Sequence, residues 1–259
     1  MTDAPAALIA IAASAFAVES AIGFGATVIT VALAANFIAI DALLPAFVPV
    51  NMLLSAYIAV RDRRHVDART LLVRVLPPMV LGLPIGILAL ARLDERVLKI
   101  AFAAFVIGLS VVEVVRLSRA VPAPQPAEGA PHAVAGTRAA LAADVALLVL
   151  GGAIHGAFGT GGPMAVYVAA KRLGEDRRVF RVTLAGLWLL LNVALLTTFA
   201  IRGRLDRASL ETSALLLPAL AVGTAIGAWA HPRIPQRAFR FGVFVMLAAA
   251  AVVLIVRSI

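Results

Sequence analysis

Long apolar segments alternate with short loops that carry arginine along the whole chain. Each segment approaches the roughly 20 residues that a helix needs to cross a bilayer core. Two further apolar regions, 5–39 and 139–170, are longer and are interrupted by closely spaced glycines. Because backbone amides cannot stay unpaired in lipid, the pattern predicts an all-α polytopic membrane protein. The uninterrupted segments are 43–60, 71–91, 97–115, 182–201, 210–230 and 241–256.

The second half of the chain repeats the pattern of the first. A shift of 136 positions places Gly23-Phe24-Gly25 on Gly159-Thr160-Gly161, and Glu19 on His155. A shift of 141 positions aligns the region that follows. Such matches of polar, Gly and Pro residues are not expected by chance in an apolar chain, so the sequence predicts a duplication. Pairs matched at the longer shift include Asn51 and Asn192, Pro77 and Pro218, Gly82 and Gly223, Gly86 and Gly227, and Arg61 and Arg202.

The duplication divides the chain into two transmembrane repeats, 1–118 and 138–259. Each repeat is predicted to hold a glycine-broken helical hairpin followed by three transmembrane helices. The segment 119–137 contains several prolines and is predicted to be a cytoplasmic linker. Repeat halves of transporters bury their interface against each other, so neither half is expected to be an independent domain.

The distribution of charged residues predicts how the two repeats are oriented in the membrane. The chain is 62% hydrophobic, only 14% charged, and carries a net charge of +9. If the second repeat is inverted, 16 of the 23 Lys and Arg residues share one side of the membrane; a parallel arrangement gives 12 and 11. Only the inverted arrangement satisfies the positive-inside rule, and it places both termini outside. Basic residues confined to loops also argue against a nucleic-acid partner. Whether the hairpins are re-entrant or spanning stays open.

Both interruptions are predicted to be tight turns between helices. The first contains Gly23-Phe24-Gly25 and the second Gly159-Thr160-Gly161-Gly162, with Pro163 suited to the first turn of a new helix. A helix that starts after such a turn offers unpaired amides and the positive end of its dipole, which together bind anions. The competing interpretation is that the glycines only allow close helix packing.

Polar residues near the turns complete the predicted site. Glu19 and His155 are candidates for proton coupling, or else neutral groups hydrogen-bonded to a neighbouring helix. Asn51 and Asn192 could donate to an anion without bringing charge, or could hold helices together. Trp188, near Asn192, is a weaker candidate. The predicted substrate-binding residues are Gly23, Phe24, Gly25, Thr27, Asn51, Gly159, Thr160, Gly161, Gly162 and Asn192.

The run from Gly156 to Pro163, Gly-Ala-Phe-Gly-Thr-Gly-Gly-Pro, resembles the second-half signature of the sulfite exporter TauE/SafE family, also called the 4-toluene sulfonate uptake permease family. The duplication and chain length extend the resemblance over nearly the whole chain. It implies a bacterial, archaeal or plant membrane protein that moves sulfite, sulfoacetate or related anions. The first half departs from the motif, with Ala26 and Thr27 where the second has Gly162 and Pro163.

The sequence therefore predicts a secondary transporter of a small sulfur-containing or organic anion, working by alternating access in the bacterial cytoplasmic (inner) membrane. A passive anion channel is the alternative. An intramembrane enzyme is disfavoured because the histidines and carboxylates are too few and too scattered for a metal cluster, and the chain has no cysteine for a thiolate site. Neither a metal nor a cofactor is expected. Substrate, direction, coupling ion and oligomeric state stay open. The expected partners are the anion and lipid, with proton coupling as one option.

Overall fold

The computed structural model describes residues 3–22, 24–118, 138–173, 176–230 and 236–258. Over these residues the chain is α-helical and has no β-strand. A short 3₁₀ turn, Arg63–His65, and a π-helical turn, Thr70–Val75, precede the fourth α-helix. The α-helices are α1 Asp3–Ile22, α2 Ala26–Ala34, α3 Ile40–Arg61, α4 Leu76–Arg92, α5 Glu95–Ser118, α6 Arg138–Phe158, α7 Gly162–Ala170, α8 Arg177–Ile201, α9 Arg207–Ala230 and α10 Gln236–Ser258.

Seven helices in the described part of the chain are long and apolar enough to cross a membrane. Six of them coincide with the six uninterrupted apolar segments, which confirms the prediction of an all-α polytopic membrane protein. The seventh is α6, the first arm of the second predicted hairpin. The spans are Ile40–Arg61, Thr70–Arg92, Glu95–Ser118, Arg138–Phe158, Arg178–Ile201, Arg207–Ala230 and Phe241–Ser258.

The two interrupted regions each consist of a long helix followed by a short one. Helices α1 and α6 have 20 and 21 residues, whereas α2 and α7 have 9 each. At a rise of about 1.5 Å per residue, the long arms extend about 30 Å and the short arms only about 13 Å. A long arm can therefore match the thickness of a bilayer core, but a short arm covers less than half of it.

The helices form two compact units, and each unit draws on both halves of the chain. The first unit contains Met1–Asn51, Arg92–Val121 and Leu196–Ile259, and the second contains Met52–Ala91 and Pro122–Leu195. The compact units are defined by contacts in the structure, whereas the repeats are defined by sequence similarity, so the two divisions of the chain need not coincide. The repeat boundaries at 118 and 138 therefore stay a prediction, and the linker 119–137 lies outside the described residues.

In the first unit, α1 and α9 pack with their backbones close together. A Cβ added at Gly223 would lie 2.3 Å from the carbonyl oxygen of Ala13, and one at Gly227 would lie 2.2 Å from that of Ala17. A side chain at either glycine would collide with the backbone of α1. The small residues therefore set the distance between the two helices, as is common in membrane proteins. In the same unit α10 packs on α5 and α2.

In the second unit, α4 and α6 pack in the same way. A Cβ at Gly82 would lie 1.9 Å from the Val149 carbonyl oxygen, and one at Gly86 would lie 1.8 Å from that of Ala153. The buried core of this unit combines side chains from α4 and the turn before it, from α6, from α7 and the loop that follows it, and from α8. These are Leu71, Val75, Met79, Leu83, Leu148, Ala165, Val168, Ala169, Leu173, Leu184, Leu187, Trp188 and Leu191.

These two contacts correspond under the shifts found in the sequence. The glycines of α4 and α9 differ by 141 positions, and the residues they meet on α6 and α1 differ by 136. A second pair follows the same rule: Ser20 Oγ donates to the Thr224 carbonyl at 3.1 Å, and at the matching position Gly156 packs against the Leu83 carbonyl. In each unit, a helix from one half of the chain packs on the long arm from the other half.

Candidate functional site

The chain turns sharply between α1 and α2. Helix α1 ends at Ile22 and α2 begins at Ala26, and the half-buried Phe24 and Gly25 lie between them. Gly25 has a φ of +114°, in the left-handed region where a side chain is strained. The turn therefore requires glycine at position 25. Gly23, another predicted site residue, lies outside the described residues.

The carboxyl group of Glu19 caps the start of α2. Glu19 is only 5% exposed, and its Oε2 accepts a hydrogen bond of 2.7 Å from the Ala26 backbone N–H. That N–H belongs to the first turn of α2, whose amides have no partner within the helix. One of the amides expected to bind an anion is therefore already paired with an acidic side chain of the protein.

Asn51, whose side-chain amide is predicted to bind the anion, lies in the same unit and already forms a hydrogen bond within the protein. Its Nδ2 donates to Thr27 Oγ1 at 3.2 Å, and both side chains are buried. The bond joins α3 to the first turn of α2, because Thr27 is the second residue of that short helix. At the first hairpin, the Glu19 carboxyl group and Asn51 Nδ2 therefore each form a hydrogen bond within the protein.

The second turn, between α6 and α7, is more deeply buried. Helix α6 ends at Phe158, and residues 159–162 are all buried, with Gly159 at a φ of +65°. Helix α7 begins at Gly162, and Pro163 lies in its first turn, where its missing N–H costs no hydrogen bond. The predicted residue Thr160 is 6% exposed within the turn.

His155 occupies the position in this turn that Glu19 occupies in the first. It is 2% exposed, and its Nδ1 accepts a hydrogen bond of 3.3 Å from the Gly161 backbone N–H. In a neutral imidazole, an accepting Nδ1 leaves the proton on Nε2. His155 Nε2 is buried and makes no hydrogen bond within the described part of the chain. A buried, neutral donor therefore stands at this turn.

Asn192 adds a second buried polar group beside His155. It is 1% exposed, and its amide approaches the His155 imidazole closely enough for a weak polar interaction. Neither its Nδ2 nor its Oδ1 forms a hydrogen bond of good geometry with a described group. Trp188, one helical turn earlier on α8, stacks on His155 with ring centroids 6.0 Å apart, and its Nε1 is also unpaired among the described residues. The spacing of four residues puts Trp188 and Asn192 on one face of the helix.

A family model described as sulfite exporter TauE/SafE matches residues 7–254. This chain belongs to the sulfite exporter TauE/SafE family. The resemblance carried by Gly156 to Pro163 is thereby confirmed over nearly the whole chain. No curated protein and no solved structure gives a significant match to it.

Membership of the TauE/SafE family makes this a membrane transporter of the sulfite and sulfonate type, with a small anion as its class of substrate. The family signature covers the end of α6, the buried turn and the start of α7. It therefore coincides with the part of this TauE/SafE protein where His155 accepts a hydrogen bond from the Gly161 N–H, just before α7 begins.

Gly161 of the TauE/SafE signature has a packing role. A Cβ at this position would lie 2.2 Å from the Gly151 carbonyl oxygen and 2.9 Å from the Met79 side chain. The turn therefore lies directly against α6 and α4. Sequence reasoning missed Gly151 and Met79, because their part in the turn depends on contacts between distant segments of the chain.

Two basic loops of this TauE/SafE protein meet at one end of the second unit. Arg178 donates to Asp62 at 2.6 Å, and the Asp67 backbone N–H donates to Thr183 Oγ1 at 3.0 Å. The hydrogen bond from Arg178 lowers the pKa of the Asp62 carboxyl below its usual range. The loops around 61–74 and 171–181 therefore lie on the same side of this unit.

Proposed function

We propose that this protein is a secondary transporter that moves a small sulfur-containing or organic anion by alternating access in the bacterial cytoplasmic membrane. The anion would be held near mid-membrane at a glycine break, where a short helix begins. The observation that carries this proposal is a group of buried polar atoms on His155, Trp188 and Asn192 that have no hydrogen-bond partner within the described residues.

A buried polar group without a hydrogen bond costs roughly 1–3 kcal/mol, so native proteins keep few of them. Asn192 leaves both ends of its amide unpaired among the described residues, and His155 beside it leaves Nε2 unpaired. If the donor groups only held helices together, we would expect them to be bonded across the helix interface, as Asn51 Nδ2 is to Thr27 Oγ1. A polar ligand that accepts from Nε2–H and Nδ2–H would remove the cost. A small oxyanion has this chemistry.

We infer that the repeats are inverted relative to each other, and two ion pairs support this topology. Arg178 pairs with Asp62 at 2.6 Å near the end of α3, and Arg204 pairs with Asp41 at 3.1 Å near its start. A parallel arrangement puts the loops that hold Asp62 and Arg178 on opposite sides of the membrane. The inverted arrangement puts them together in the cytoplasm and Arg204 outside, as the positive-inside rule requires.

Cysteine accessibility tests this topology, and the absence of native cysteine gives a clean background. We expect Arg64→Cys and Asp176→Cys to be protected from a membrane-impermeant maleimide added to intact cells, and Arg202→Cys to be labelled. All three positions are exposed in loops. Each variant should be labelled in permeabilised cells, which controls for reactivity. Opposite behaviour of Arg64→Cys and Asp176→Cys would contradict the inverted repeats.

Glu19 and His155 stay the candidates for proton coupling. Both are ionisable, both are buried, and each binds a backbone N–H near the start of a short helix. Ionisable groups at such depth usually face a partner or a transport pathway. A coupled transporter would use them to link proton movement to that of the anion, whereas one driven by membrane potential alone would not require their ionisation.

Uptake of sulfite into proteoliposomes tests the proposed function directly. We expect uptake that saturates as the sulfite concentration rises, because each transport cycle must bind and release one or a few ions. Ethanesulfonate and acetate added as competitors would show whether the site prefers sulfur oxyanions. A passive channel would instead give a flux that rises without saturation. Flux equal to that of empty liposomes for all three anions would remove the proposal.

A further inference from the structure

We infer that the two hairpins are not equivalent, and that the anion binds only at the second, between His155 and Asn192, while Glu19 takes the place of an anion at the first. This inference rests on the proposed anion transport and assigns the binding groups within it. It departs from the symmetrical site expected from the sequence, in which both hairpins contribute in the same way.

The first difference between the hairpins is the acceptor available to each asparagine. Asn51 Nδ2 is bound to Thr27 Oγ1 at 3.2 Å. The position of Thr27 in the second hairpin is taken by Pro163, which has no hydroxyl group. Asn192 therefore lacks the partner that occupies Asn51, and its buried Nδ2 is left without a hydrogen bond from the described residues. The difference between Thr27 and Pro163 therefore gives a hydroxyl acceptor to Asn51 but not to Asn192.

The second difference is the side chain that meets the short helix. At the first hairpin, the Glu19 carboxyl accepts from the Ala26 N–H at 2.7 Å, so an acidic group of the protein already lies at the positive end of α2. An external anion there would have to displace it or tolerate a nearby carboxylate. At the second hairpin, His155 accepts from the Gly161 N–H through Nδ1 and keeps Nε2–H as a donor. The same position therefore opposes an anion in one hairpin and offers it a donor in the other.

Both differences act in the same direction, although they involve separate residues on separate helices. Together they place two buried donors, His155 Nε2–H and Asn192 Nδ2–H, beside each other, and no carboxylate in the described part of the chain forms a hydrogen bond or ion pair with either. Trp188 packs along the imidazole ring and can supply a third N–H from the same face of α8 as Asn192. Three neutral donors on a rigid helical frame suit a small oxyanion, which offers several acceptor oxygens.

The test compares the two repeat-related amides by sulfite-dependent thermal stabilisation of the purified full-length chain, from which an apparent Kd is obtained. We expect Asn192→Leu to raise the Kd for sulfite at least tenfold. Asn51→Leu removes the amide that the inference excludes from the site, and its Kd should stay within about twofold of wild type. Both changes keep a side chain branched at Cγ, and the melting temperature without sulfite reports any general loss of stability.

A second variant keeps the inference testable if Asn192→Leu does not fold. Pro163→Thr restores the hydroxyl found at position 27, which should engage Asn192 Nδ2 and raise the Kd about fivefold. Equal losses of affinity in Asn192→Leu and Asn51→Leu would restore the symmetrical site and overturn the inference. Wild-type affinity in both Asn192→Leu and Pro163→Thr would also overturn it. If the wild type itself neither binds nor transports sulfite, ethanesulfonate or acetate, the proposed function fails, a result distinct from these.

Discussion

Replacing Gly86 by alanine is expected to destabilise the protein by about 3 kcal/mol or more, or to prevent folding, although alanine is the better helix former. The added Cβ would lie 1.8 Å from the Ala153 carbonyl oxygen and 2.6 Å from the Ala157 backbone N. Neither atom belongs to a flexible side chain, so α4 and α6 must separate to admit one methyl group. Thermal unfolding of purified protein in detergent, followed by tryptophan fluorescence, measures the loss.

Gly108→Ala is the matched control for this experiment. Gly108 lies on α5, and a Cβ added there meets nothing within 4 Å. Alanine should therefore keep or raise the melting temperature, since glycine in a helix costs up to about 1 kcal/mol relative to alanine. Gly227→Ala, the repeat-equivalent change, should behave like Gly86→Ala because its Cβ would lie 2.2 Å from the Ala17 carbonyl oxygen. An unchanged melting temperature in Gly86→Ala would refute the close approach of α4 and α6.

Exchanging His155 for glutamate is expected to reduce sulfite transport at least a hundredfold. The change introduces into the second hairpin the residue type found at the equivalent position of the first. Two like charges about 4 Å apart repel by roughly 4 kcal/mol at the effective dielectric constant of a protein, which is more than a hundredfold in affinity. The effect is measured as the initial rate of sulfite uptake into proteoliposomes. The assay is run at pH 8, well above the ordinary pKa of a glutamate side chain, to favour the carboxylate.

His155→Gln separates charge from the loss of the imidazole. A glutamine can accept from the Gly161 N–H and still donate, so we expect a reduction of about tenfold or less, through imperfect geometry. The melting temperature of each variant controls for the cap on α7, which either side chain can retain. Wild-type transport in His155→Glu would mean that the anion does not approach this residue, and the proposed site would have to be abandoned.

The features that depend on local composition could be derived from the sequence. Six spanning helices follow from runs of apolar residues, because a bilayer imposes a length and forbids unpaired backbone. Helices α1 and α6 end beside the closely spaced glycines, a residue type that permits a turn. The family follows from the run between Gly156 and Pro163. Each of these is a property of neighbouring residues, or of two segments compared position by position.

The packing partners of the helices could not be predicted from the sequence. The shifts of 136 and 141 positions predict that the halves are alike. They do not predict that α9 packs on α1 and α4 on α6, each pair drawn from opposite halves. The same glycines are compatible with packing inside a half or between halves, since a small residue permits a close approach without selecting its partner. Only the tertiary fold of the whole chain decides which helix backbone lies against a given glycine.

The candidate site also combines features that the sequence predicts with features that only the tertiary structure shows. Glu19, His155, Asn51 and Asn192 could be selected from the sequence, because polar groups in apolar segments are rare and these are related by the repeat. Only the tertiary structure decided that Glu19 and His155 bind the amides at the starts of α2 and α7. It also decided that Asn51 Nδ2 donates to Thr27, whereas Asn192 Nδ2 has no hydrogen-bond partner among the described residues. A hydrogen bond depends on tenths of an ångström between groups that can be far apart in the chain, and residue type alone carries no such distance.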